Sequence, residues 1–68
     1  MWLQVGDTIV NLNKVGQITK EDNFIIVYGL NFDDKLTIYK FNDEKECDKY
    51  YFKLRTILAK KSSLGVLV

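Results

Sequence analysis

Apolar residues in the first two thirds of the chain occur in short runs that polar and glycine-containing segments separate. Five of these runs are rich in β-branched and aromatic residues and predict β-strands at residues 3–5, 8–12, 15–20, 24–28 and 36–41. Gly6-Asp7 lies between the first two runs and predicts a tight hairpin turn. Segments rich in polar residues predict the other turns between strands, at residues 13–14, 21–23 and 31–34.

The spacing of apolar residues changes after residue 41 from alternation to a helical period. One apolar stripe follows that period and consists of Cys47, Tyr50, Tyr51, Leu54, Ile57 and Leu58. Asp43 and Glu46 have the spacing of a capping box, and acidic residues precede basic ones, as the helix macrodipole favours. These signals predict a helix over about residues 43–61. Serines and a glycine follow it, and residues 62–68 are expected to form an apolar tail.

The order of these elements predicts one α+β domain over residues 1–68. Four or five short strands form a strongly twisted antiparallel meander, because short connections favour pairing between neighbours in the sequence. One C-terminal α-helix packs on one face of that sheet. The expected core consists of Leu12, Ile18, Ile26, Tyr28, Ile38, Cys47, Tyr51, Leu54 and Leu58.

Both faces of the predicted sheet carry large apolar side chains, although a single helix can cover only one of them. In the run at residues 24–28, Phe24, Ile26 and Tyr28 point to one face. Ile25 and Val27 point to the other. Two arrangements satisfy this pattern: the sheet curls on itself like a barrel, or a second layer such as a partner subunit covers the remaining face.

The small size of the chain raises the question of what stabilises it. A domain of 68 residues buries only about 60% of its unfolded surface and usually needs a disulfide, a metal or a partner subunit. Cys47 is the only cysteine and histidine is absent, which excludes an intrachain disulfide and leaves too few ligands for a zinc site. Self-association remains, so we expect a homo-oligomer, most simply a dimer.

The candidate interface combines residues of the helix and of the tail. Helical periodicity places Phe52 and Ala59 away from the apolar stripe. Val66, Leu67 and Val68 add three apolar residues, and exposed apolar patches mark sites of contact. The alternative is a lone surface aromatic residue and a frayed tail, neither of which has a function.

The polar residues of the chain argue against catalysis. Without histidine, a nucleophile lacks its most common neighbouring base. Cys47 lies on the apolar stripe, where a free cysteine behaves as a small hydrophobic residue. The acidic pairs lie in predicted turns or at the start of the helix, and the four glycines form no phosphate-binding loop. We therefore expect a non-catalytic interaction or binding module without cofactor or metal.

Single-stranded nucleic-acid binding is a first alternative function. Tyr39, Lys40 and Phe41 interleave aromatic and basic residues, and Lys49 and Lys53 flank three aromatic residues on the helix. Sheet aromatics can stack on bases while lysines contact phosphates. The order of strands followed by one helix is similar to that of the Whirly-type single-strand binders, which are dimeric. The net charge of +1, however, gives no general attraction to nucleic acid.

A second alternative is an adaptor or accessory protein of a phage or bacterium, which would bind a protein partner through its surface, for example through a strand edge. The abundance of Asn, Lys and Ile and the absence of proline are typical of AT-rich genes. The N-terminus lacks the features of a signal peptide, and no apolar run approaches the roughly 18 residues of a membrane span. Since the single thiol fits a reducing compartment, we expect a cytoplasmic protein without membrane contact.

Overall fold

Two three-stranded sheets and one helix make up the fold. The computed structural model describes residues 1–31 and 34–68. The elements in chain order are β1 (Trp2–Val5), β2 (Thr8–Asn11), a short 3₁₀ helix (Leu12–Lys14), β3 (Val15–Glu21), β4 (Phe24–Gly29), β5 (Lys35–Lys40), α1 (Glu44–Lys60) and β6 (Leu64–Val66). The α+β class and the C-terminal position of the long helix agree with the sequence prediction.

The first sheet has the strand order β2-β1-β6. β1 and β2 form the expected hairpin, and its turn begins at Gly6, whose φ of 59° is a left-handed conformation that favours glycine. β6 lies on the other side of β1 and runs parallel to it. Residues 64–66 therefore form a third strand, and the expectation of an apolar tail after the helix is wrong for them.

The second sheet is an antiparallel meander with the order β3-β4-β5. A two-residue turn, Asp22-Asn23, joins β3 to β4 at the predicted position. The turn predicted at residues 31–34 includes Phe32 and Asp33, which lie outside the described residues. The prediction of one meander of four or five strands is wrong, because the β1–β2 hairpin pairs with β6 in a separate sheet.

The helix α1 begins and ends within one residue of the predicted bounds. Asp43 is its N-cap, and the carboxylate Oδ1 accepts a hydrogen bond of 2.8 Å from the backbone N–H of Glu46. The Glu46 carboxylate accepts from the side-chain amide of Asn42 at 3.3 Å, so the reciprocal half of a capping box is not formed. Lys61 ends the helix in a left-handed conformation with φ 52°.

The core lies between the two sheets and the helix, and both sheets contribute to it. Its main cluster of buried side chains consists of Leu3, Val5, Ile25, Phe41, Cys47, Leu54 and Leu67. The inner face of the second sheet is thus covered by α1 and by the first sheet of the same chain.

Three residues of the predicted core are buried, namely Ile26, Cys47 and Leu54. Leu12, Ile18, Tyr28 and Tyr51 are half-buried. Two predictions are wrong, because Ile38 is 49% exposed and Leu58 is 37% exposed. Ile38 lies opposite Ile26 on the outer face of the second sheet, and Leu58 lines an open groove beside β3.

Candidate interaction surface

The outer face of the first sheet follows from the alternation of side chains along its strands. In β1 the side chains of Leu3 and Val5 enter the core, so those of Trp2 and Gln4 point outward. Residues that face each other in the register share a face of the sheet. The outward set therefore consists of Trp2, Gln4, Ile9, Asn11, Leu64 and Val66.

These six residues form two adjacent rows across the three strands. Trp2 lies between Asn11 and Leu64 in one row. Gln4 lies between Ile9 and Val66 in the other row. None of the six carries a charge. The two rows therefore make a neutral surface in which four apolar side chains are neighbours.

The four apolar side chains, which we call the apolar face, are each about half exposed. Their exposed fractions are 49% for Trp2, 59% for Ile9, 49% for Leu64 and 47% for Val66. Together they expose on the order of 400 Å² of apolar surface, within the range of the largest patches on monomeric proteins, which are often functional. We regard the apolar face as the candidate functional site.

The structure separates the residues of the interface expected from sequence. Phe52 is 68% exposed, and Ala59 is also exposed on the same side of α1. Ile57, on roughly the opposite side of the helix, lies against Gly65 of β6. Phe52 and Ala59 therefore lie on a different side of the molecule from Val66.

The last three residues of the chain also have different environments. Val66 belongs to the apolar face, whereas the side chain of Leu67 is completely buried in the core. Val68 is half-buried and packs against that core. Burial removes Leu67 from any surface patch. The apolar face instead includes Trp2, Ile9 and Leu64, which the sequence did not assign to an interface. Alternation along β1 signals the outward position of Trp2, but not the positions of Ile9 and Leu64 beside it.

The aromatic residues proposed to stack on nucleic-acid bases lie mainly inside the molecule. Phe41 is 3% exposed, and its ring centroid lies 5.0 Å from that of Tyr50 in a stacked pair. Tyr39 packs against the same core at a centroid distance of 4.9 Å from Phe41. The burial of Phe41 leaves its ring no exposed face on which a base could stack.

The three candidate lysines are divided between two places. Lys40 lies over the ring of Phe24 at 5.9 Å, on the outer face of the second sheet. Lys49 and Lys53 lie over Tyr50 at 5.8 Å and 5.7 Å. Lys53 also donates a hydrogen bond of 3.2 Å to the backbone carbonyl of Leu67. Lys49 and Lys53 thus remain together over Tyr50, whereas Lys40 lies on the outer face of the second sheet, away from the buried ring of Phe41.

Two titratable groups, one on α1 and one on β3, have shifted pKa values. The Cys47 side chain is completely buried, and this burial raises the pKa of its thiol. A hydrogen bond from Lys20 to Asp48, with a length of 2.8 Å, raises the pKa of the Lys20 ammonium group. Within the described part of the chain, no three His, Cys, Asp or Glu side chains form a group that could hold a metal ion.

No protein-family model, curated protein or solved structure matches this chain. Among residues 1–31 and 34–68, no helix combines the length and the apolar character needed to cross a membrane.

Proposed function

We propose that this protein is a small non-catalytic interaction module that forms a homodimer through the apolar face of its first sheet. The observation that carries this proposal is the set of four adjacent, half-exposed apolar side chains on a face without charge. Scattered apolar residues are common on protein surfaces, but a contiguous set of this size is typical of a contact surface.

The absence of charge favours a second copy of the chain as the occupant of this face. In a symmetric dimer each surface meets an identical surface, so a charged residue near the centre would oppose its own copy. Trp2, Ile9, Leu64 and Val66 create no such repulsion. Two sheets can stack face to face at a separation of about 10 Å, with their outward side chains interdigitated.

The size of the apolar face is consistent with the centre of an interface. A stable dimer buries about 800 Å² on each partner, and the apolar face supplies on the order of half of that area. Asn11 lies at the end of one row, whereas the half-buried Gln4 lies inside the other row, between Ile9 and Val66. Protein interfaces usually combine apolar side chains with a smaller number of polar groups.

Self-association would also supply stability that the chain has no other obvious means to obtain. The chain has 68 residues, and its single cysteine is buried and free. Small domains without a disulfide or a metal often depend on a partner subunit. We place the role in the cytoplasm, where a free thiol stays reduced, and assign the module no cofactor.

Sedimentation equilibrium over a protein concentration of roughly 1–100 μM tests the proposal, because this range brackets the affinity of a moderately stable dimer. We expect a dimer for the wild-type chain. Ile9→Lys and Val66→Lys should each weaken association by at least about tenfold, because each places an ammonium group in the apolar face of both copies. Both side chains are exposed, so the fold should persist.

Phe52→Lys is the matched control, since Phe52 is also an exposed apolar residue but lies on α1. It should leave the dimer unchanged. A wild-type chain that is monomeric at the highest concentration would contradict the proposal. Dissociation by Phe52→Lys with no effect of Ile9→Lys would instead assign the interface to the helix.

A further inference from the structure

An open groove runs between β3 and α1 and shares no residue with the apolar face. Its volume is about 330 Å³. Leu12, Ile18, Leu54 and Leu58 are among its apolar lining residues, and Arg55 is the charged residue that lines it. The volume lies at the lower end of the range of about 300–1,000 Å³ that is typical of ligand sites.

The strand that borders the groove has one unpaired edge. β3 pairs with β4 alone within the described residues. The backbone N–H of Phe41 donates to the carbonyl of Asn23, so the backbone of Asn23 points toward the β5 side. The direction of backbone hydrogen bonding alternates along an antiparallel strand, so the backbone of Phe24, which follows Asn23, points toward β3. Glu21, opposite Phe24, therefore bonds to β4, and so do Thr19 and Gln17 by alternation. Ile18 and Lys20 lie between these residues along β3.

The backbone groups of Ile18 and Lys20 consequently point to the free edge of the second sheet. They are in the correct orientation to pair with an additional strand. The register shift between Val15 and Gln17 marks a bulge at the other end of β3, beside the groove. Backbone pairing is thus available along the central part of the strand and is interrupted at the bulge.

The charge that lines the groove is also available for a ligand. Arg55 is exposed and forms no ion pair with any carboxylate of the described residues. Asp48, nearly two turns earlier on α1, is already paired with Lys20 at 2.8 Å. A guanidinium group in this position favours a carboxylate, which it can bind through two parallel hydrogen bonds.

We propose that this groove binds an extended acidic peptide segment of a partner protein. The segment adds as a fourth strand to the free edge of β3. One large aliphatic side chain enters the groove among Leu12, Leu54 and Leu58, and an Asp or Glu side chain binds Arg55. Three features of the described residues favour a peptide of this chemistry, namely a strand edge without a partner strand, an apolar groove and an arginine without an ion pair.

Selection of a phage-displayed library of random nine-residue peptides on the full chain tests this inference. We expect enriched peptides to share one acidic and one large aliphatic residue at a constant spacing. The strongest of them is then synthesised with a fluorescent label, and its affinity is measured by anisotropy. In NMR spectra it should shift the backbone amides of Ile18 and Lys20, because these would pair with the peptide.

Charge reversal provides the sharpest measurement. Arg55→Glu should weaken binding of the enriched peptide by about tenfold, and a peptide with Lys in place of its acidic residue should recover that loss. Leu58→Lys should abolish measurable binding by filling the groove. Phe52→Gln removes an exposed apolar side chain from α1 without adding a charge, so it is the matched control and should bind the peptide as the wild type does.

Several results would overturn the inference. These are the absence of any enriched peptide, an affinity that Arg55→Glu leaves unchanged, and amide shifts confined to β1 and β6.

Dissociation of a dimer by Leu58→Lys would show that a second copy occupies the groove. Dodecanoate, an alkyl carboxylate, provides a further comparison: if it shifts the same amides while no peptide does, the groove binds a small amphiphile instead. If the monomeric Ile9→Lys variant binds the peptide as the wild type does, peptide binding does not depend on the proposed dimer.

Discussion

Cys47 illustrates how burial changes the chemistry of a single residue. Its side chain is completely buried, and burial raises the pKa of the thiol above its ordinary value of 9.0, partly opposed by the positive charge of Lys20. Asp48 and Glu44 on the same helix add to the increase. The folded chain therefore keeps the thiol protonated at a pH where the unfolded chain begins to lose the proton.

This difference predicts a loss of stability in alkaline solution. The stability contributed by the protonated thiol is fully present below pH 9 and decreases as the pH rises from there toward the higher pKa of the folded state. The free energy of unfolding, measured with urea between about pH 8 and pH 10.5, should fall more steeply for wild type than for Cys47→Ala. The two slopes can differ by at most the contribution of one proton, which is about 1.4 kcal/mol in the free energy of unfolding per pH unit. Equal slopes would contradict this prediction.

Gly65 shows a steric requirement at the contact between β6 and α1. A Cβ atom at this position would overlap the Ile57 side chain. We expect Gly65→Ala to destabilise the fold by about 1–3 kcal/mol, measured by urea unfolding. Gly65→Ala should destabilise the fold less in an Ile57→Ala background, where the added methyl group has space. An equal loss of unfolding free energy in both backgrounds would mean that the backbone at Gly65, and not the Ile57 side chain, causes the effect.

At the scale of elements, β6 joins the end of the chain to its beginning. β6 pairs with β1. The backbone N–H of Leu67, which follows β6, donates a hydrogen bond of 2.8 Å to the carbonyl of Gln4. The side chain of Leu67 then enters the core between elements that are far apart in the sequence. β6 is therefore an integral part of the fold.

Truncation of the Leu67 side chain tests this role. Leu67→Ala should cost about 2–5 kcal/mol in the free energy of unfolding, as for other buried leucines such as Leu54. Leu36→Ala is the matched control, because Leu36 is 43% exposed in β5 and should cost less than about 1.5 kcal/mol. Similar costs for the two variants would mean that the end of the chain does not belong to the core.

At the scale of the whole molecule, the proposed dimer links stability to protein concentration. Because association stabilises the folded state by mass action, the thermal midpoint of wild type should rise by about 3–5 °C for each tenfold increase in concentration. Ile9→Lys should show no such dependence. Differential scanning calorimetry at several concentrations measures both variants, and a midpoint that is constant for wild type would argue against a stable dimer.

Local signals were sufficient for most elements. Gly6-Asp7 and Asp22-Asn23 predicted turns that the structure contains, and Asp43 predicted the start of the helix. They failed for β6, because its three residues pair with a strand about 60 positions earlier, at the other end of the chain. A prediction based on neighbouring residues cannot detect that pairing.

The same limit applies to the candidate site. Of the residues expected at an interface, Val66 lies in the apolar face, whereas Phe52 and Ala59 lie elsewhere and Leu67 is buried. The apolar face exists only because β6 brings Leu64 and Val66 next to β1. The groove likewise depends on how α1 lies beside β3, which the helical period of α1 does not specify.

The sequence by itself determined the local elements, the single free thiol and the absence of histidine, because these depend on residue type and on short-range spacing. The tertiary structure decided which side chains are inside. Ile25, Ile26 and Val27 are all buried, so alternation along β4 does not identify the inner face, and the main core cluster contains Ile25 rather than Ile26. Only the packing of two sheets against one helix makes that choice, because burial depends on contacts between distant parts of the chain.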